Sequence, residues 1–115
     1  MVATINLALK RIDHLPMGDH LTVTFPLATP TPQGLTTPEE AEVLNKLEDE
    51  LLAALGKDAV YIGRETGQRQ RVLHFHVASE GPAAERSRNW AKRHGERRAV
   101  IKTAHDPRWQ VLRRW

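Results

Sequence analysis

Residues 37–56, TPEEAEVLNKLEDELLAALG, decide how this chain folds. Thr37 can accept from the free N–H groups of a helix that starts behind it. Pro38 suits the first helical position, and Glu40, three residues on from Thr37, completes a capping box. Val43, Leu44, Leu47, Leu51, Leu52 and Leu55 recur at helical spacing, with Glu42, Asp49 and Glu50 off that stripe. Gly56 supplies the stop. The spacing therefore predicts an amphipathic helix from Pro38 to about Leu55.

What flanks this helix sets the fold class. Upstream, residues 20–27 read HLTVTFPL. Leu21, Val23 and Phe25 alternate with Thr22 and Thr24, the pattern of a strand with one buried face. Pro30, Pro32 and Gly34 mark the loop between. Downstream, Val60-Tyr61-Ile62 begins one strand and Arg71 to Val77 makes the next. Thr66-Gly67-Gln68 between them reads as a hairpin turn, with Gly67 taking the positive φ. Gly81-Pro82 breaks the chain. Residues 82–94 then read as a second helix, with Ala84, Ser87, Trp90 and Ala91 inward and Arg86, Arg88, Lys92 and Arg93 outward. A last strand is expected over residues 98–104. The order strand, helix, strand, strand, helix, strand predicts an α+β, two-layer ferredoxin-like sandwich. It has a four-stranded antiparallel sheet with two helices on one face. Ahead of it, residues 1–19 form an extension in which Ile5, Leu7 and Leu9 alternate as a further short strand would.

The chain of 115 residues is of single-domain size. Its 40% apolar and 27% charged residues suit a soluble globular protein. With no cysteine, disulfides, thiolate metal sites and thiol nucleophiles are excluded. The first residues lack the apolar length of a signal peptide or a membrane span, so a cytoplasmic location is expected. Charge is divided unevenly. Residues 1–56 hold three basic and eight acidic residues, a net of −5. Residues 57–115 hold fourteen basic and six acidic, a net of +8. On the expected fold the acidic first helix and the basic second helix lie antiparallel, side by side.

Gly34-Leu35, the helix with Leu47-Glu48-Asp49, the run Val60-Tyr61-Ile62-Gly63-Arg64-Glu65-Thr66-Gly67, Leu73-His74-Phe75-His76 and Asp106-Pro107-Arg108-Trp109 together resemble a bacterial family known as domain of unknown function 695. The resemblance spans roughly residues 20–115. It implies a ferredoxin-like fold and a distant similarity to the protein regulator of ribonuclease E activity. It brings no catalytic residues. His76 stands where the strand motif usually has an aromatic.

Chemistry-bearing patterns are few. His74 and His76, two apart on one strand, point the same way and could ligate a divalent metal if a third donor joined them; the blander reading is a polar sheet face. Gly63-Arg64-Glu65-Thr66-Gly67 lacks the Walker spacing and reads as hairpin chemistry, not as a phosphate cradle. Ser79 and Ser87 sit in no nucleophile motif. No catalytic residue, metal or cofactor is assigned, and the reading favours a non-enzymatic protein-binding or regulatory module. Thr22, Thr24, Tyr61, His74 and His76 are expected on an open sheet face, available to a protein partner or to self-association. Arg97, Arg98, Trp109, Arg113 and Arg114 are expected to gather the surplus positive charge and meet an acidic partner. Nucleic-acid binding is the rival class, since single-strand RNA binders share this topology. Here Phe25 and Phe75 are in phase with the core, which removes the stacking platform. A metal-dependent enzyme at His74 and His76 is the third.

Overall fold

The computed structural model describes residues 2–5, 18–78 and 81–106. In chain order the elements are β1 (Val2–Ile5), β2 (Asp19–Pro26), α1 (Pro38–Leu55), β3 (Ala59–Gly67), β4 (Gln70–Val77), α2 (Ala83–Arg93) and β5 (Val100–His105). Strands β2 to β5 with α1 and α2 form the expected β-α-β-β-α-β sandwich, an α+β fold of ferredoxin-like order. Among the described residues β1 adds a fifth strand, giving the order β1-β3-β4-β2-β5 with every neighbouring pair antiparallel. This strand begins earlier than the alternation of Ile5, Leu7 and Leu9 suggests; Leu7 and Leu9 lie outside the described residues. No described helix is long and apolar enough to cross a membrane.

Leu21, Val23 and Phe25 of β2 and Leu73, Phe75 and Val77 of β4 form the sheet's contribution to the core. Leu44, Leu51 and Leu55 of α1 and Ala83 and Trp90 of α2 cover them from one side. Phe25, Phe75 and Trp90 are wholly buried, and each large side chain of this kind contributes about 1.5–3 kcal/mol when removed from water. Val43 departs from the expected stripe: it is 44% exposed, one step round the helix from the buried Leu44.

Thr37 caps α1 as expected, its Oγ1 accepting from Glu40 N–H at 3.2 Å. Gly56 ends the helix at φ 54°, donating its N–H to the Leu52 carbonyl. The other half of the capping box is not made. The Glu40 carboxylate turns away from Thr37 and accepts from the N–H groups of Ala28 (2.6 Å) and Thr29 (3.0 Å). It ties the β2–α1 loop to the helix. The hairpin turn also shifts by one residue. Positive φ falls on Gln68 (52°) and Arg69 (65°), not on Gly67.

The charge division resolves into helix pairing. Arg86 of α2 pairs with Asp58 beyond the end of α1. His94 lies 3.1 Å and Arg93 4.0 Å from Glu50. Arg97 reaches Glu40, in the first turn of α1, at 3.0 Å. The partners run in opposite chain directions, so α1 and α2 lie antiparallel with acidic against basic.

Candidate functional site

Register alone brings three histidines together. His20 of β2 stands opposite His76 of β4, and Thr22 opposite His74. Because alternate residues share a face, His20, His74 and His76 all point away from the helices. His20 Nε2 and His74 Nδ1 share a hydrogen bond at 2.9 Å. The His20 ring stacks with those of His74 and His76, at centroid separations of 5.1 and 6.0 Å.

Carboxylates bracket the stack. Asp106 Oδ2 lies 3.1 Å from His76 Nε2. Glu65 Oε1 lies 2.9 Å from His74 Nε2, close in distance though short of hydrogen-bond alignment. Glu65 is there because of a β-bulge. The β3–β4 register slips between Tyr61 and Gly63, leaving Ile62 as the extra residue. Alternation is thereby reset: Tyr61 and Arg64 face α1 although three apart, and Glu65 faces the histidines.

This half of the sheet's far face is not open. His76 is 0% and His74 4% exposed, and beside them Ile62 and Val60 are buried as well. His74 and His76 are thus withdrawn from solvent, whereas the stacked His20 is half-buried. Among the described residues no three His, Asp or Glu side chains are placed to hold a metal ion. Of the residues expected on an open face, Thr22 and Thr24 are half-buried. Tyr61 is on the other face altogether, donating its hydroxyl to Glu48 Oε1 at 3.1 Å. Burial, and then the Glu48 charge, push its phenol well above the usual range.

A second polar cluster joins α1 to β3 and β4. Glu48 accepts from Arg64 at 2.7 Å. Arg64 and the buried Arg71 both donate to Asn45 Oδ1, at 3.2 and 3.1 Å, and Arg71 Nε donates to Thr66 Oγ1 at 3.1 Å. Burial, followed by repulsion from Arg64, lowers the Arg71 guanidinium from its ordinary value. Gly63-Arg64-Glu65-Thr66-Gly67 thus serves three internal contacts, with Arg64 to α1, Glu65 to His74 and Thr66 to Arg71.

The exposed surface lies at the other edge. β5 pairs with β2 alone, and among the described residues its outer edge has no strand partner. Val100, Lys102, Thr103, Ala104 and His105 are exposed and Ile101 is half-buried. Val100, at 49% exposure, is a large apolar residue in the open. Arg88 and Lys92 on α2, Arg98 before β5 and Lys102 within it make no ion pair among the described residues. Arg97 is different: its side chain is 17% exposed and committed to Glu40. Of the two described arginines expected at an acidic partner, Arg97 is thus turned inward and Arg98 is exposed. Trp109, Arg113 and Arg114 lie outside the described residues. Helical phase alone marks Arg88 and Lys92 as outward; that Arg88 lies beside Thr103 of β5 is seen only in the fold.

The chain matches the family of unknown function DUF695 over residues 1–114 and belongs to that family. No curated protein and no solved structure matches it.

Proposed function

We propose that this domain is a non-catalytic module that binds a partner protein through its basic β5 flank, and that it works in the cytoplasm. One observation carries the reading. The polar clusters within the fold are turned inward, whereas Arg88, Lys92, Arg98 and Lys102 are exposed and make no ion pair among the described residues, with Arg88 beside Thr103 of β5. Arginine is enriched at protein interfaces, and Arg98 lies two residues before the exposed Val100. The absence of cysteine suits a reducing compartment.

Protein is favoured over nucleic acid because a single-strand binder stacks bases on aromatics of the central strands. Here Phe25 and Phe75 are wholly buried beneath the helices, and His74 and His76 are buried on the far side. The test is affinity capture from cell lysate, comparing the native domain with an Arg88→Glu, Lys102→Glu double variant. The native domain should retain a protein at moderate salt that the variant loses. Retention of RNA instead, with a steep dependence on salt, would replace this reading by the nucleic-acid one. Equal retention by both proteins would show that the β5 flank is not the contact surface.

A further inference from the structure

We infer that the partner is received as an added β-strand: an extended segment carrying adjacent acidic residues pairs with the outer edge of β5 and places one carboxylate at Lys102 and the next at Arg88. The inference rests on the binding reading above and names the mode and chemistry of that contact.

An edge strand presents alternate N–H and C=O groups with nothing to bond, and folded proteins usually blunt such edges with proline, bulges, charge or a covering element. β5 contains no proline, and its pairing with β2 runs from Val100 to His105 without a register shift. Both of its faces are exposed over most of that length. Lys102 is the one charge in the strand at neutral histidine, and its position decides the occupant. It stands opposite Thr22 in the register, which puts it on the face away from the helices with Val100 and Ala104. A second copy of β5 would bring another lysine and more uncompensated positive charge to the same edge. An acidic strand would neutralise it.

The opposite face of β5 carries Ile101 and Thr103, in register with the core residues Val23 and Leu21. Thr103 and Arg88 line a common cleft of about 380 Å³ with Val77, Ala78 and Ala84 and with the carboxylates of Asp19 and Glu85, of which Asp19 is held by His105 at 3.0 Å. Successive residues of an added strand point to opposite faces. One acidic side chain therefore meets Lys102, and its sequence neighbour lies on the side of Thr103 and Arg88. Apolar residues flanking the acidic pair extend over Val100 and Ile101. Main-chain hydrogen bonds supply affinity in this mode, and the alternate side chains supply specificity.

A short synthetic peptide with two adjacent glutamates flanked by valines is the probe. The expected result is saturable binding at low salt, with slowed amide exchange in β5 and not in β1. Lys102→Glu should weaken binding about tenfold or more, the usual reach of a reversed interfacial charge. Lys102 is exposed, so the variant should fold, and its melting curve checks that. The same peptide with alternate backbone nitrogens methylated keeps the charge but loses the strand edge, and should not bind. Equal binding of the methylated peptide, or no exchange protection in β5 at millimolar peptide, overturns strand addition. A lysate partner lost on Arg88→Glu yet still bound by Lys102→Glu would also overturn it, while leaving the binding module standing. A concentration-dependent dimer that protects β5 would assign the edge to a second copy and overturn the acidic segment.

Discussion

Glu40 sits in the first turn of α1 with 5% exposure. Its carboxylate accepts from Ala28 and Thr29 N–H, from Thr29 Oγ1 at 3.3 Å and from Arg97 at 3.0 Å. Burial by itself would raise its pKa. The N–H groups of Thr29 and Ala28, then Arg97, outweigh burial and hold the carboxyl below its ordinary value. Glu40→Ala should cost about 2–4 kcal/mol in urea unfolding, since it strands two N–H groups and a partly buried guanidinium. The pH dependence follows in sign. A lowered folded pKa means a contribution fully present above the ordinary carboxylate range and lost as pH falls through the folded value. Glu40→Gln should therefore flatten the acid limb of stability against pH. Asn45 makes the opposite case. Two guanidiniums share its neutral Oδ1, and Asn45→Asp should stabilise by about 0.5–1 kcal/mol, less at high salt.

At the scale of elements, the β3–β4 turn is the place where local preference yields to packing. Gln68 and Arg69 both take positive φ, where two-residue hairpins prefer Asn-Gly. The turn is held from outside. Leu27 N–H donates to the Arg69 carbonyl at 2.9 Å, and Arg69 N–H donates to the Gly34 carbonyl at 3.1 Å. Arg69→Gly keeps both bonds and relieves the left-handed backbone, so thermal unfolding should show a gain of about 0.5–1 kcal/mol. Gly34→Ala should lose about 1–3 kcal/mol. At φ 79° a Cβ there is strained and would lie 3.0 Å from Arg69 N. The hairpin itself is legible in the sequence, because its two runs alternate and a turn-rich stretch divides them. The residues that bend are not, because Gly67 is the better local candidate and only the 27–35 loop makes Gln68-Arg69 the cheaper answer.

Across the whole molecule, α1 from the −5 half of the chain and α2 from the +8 half meet as neighbouring helices. Most of those pairs are exposed: the Arg93 and Glu50 side chains are 61% and 47% accessible, and Arg86 and Asp58 46% and 30%. Exposed pairs contribute about 0–1 kcal/mol each and are screened by salt. Raising salt to about 1 M should thus lower the unfolding free energy by no more than about 1–2 kcal/mol. A larger fall, measured by chemical unfolding at each salt concentration, would show the pairing to be a main support of the fold. The apolar layer of Leu21, Val23, Phe25, Leu73, Phe75 and Trp90 should carry it instead.

The two helices, strands β2 to β5 and their order are written in short-range patterns of the chain. Helical spacing after Thr37 and alternation in β2 and β4 are short-range patterns, and each is enough to state which side of an element must leave water. The antiparallel charge pairing follows once those elements are ordered. The contacts of the polar residues come from the folded arrangement. The slip at Ile62 that turns Glu65 toward His74, the burial of His74 and His76, the capture of Arg97 by Glu40 and the place of β5 at the end of the described sheet depend on contacts between residues distant in the chain. Composition and spacing carry no record of such contacts, because a polar side chain is assigned to solvent or to a partner only when the backbone has brought the partner near.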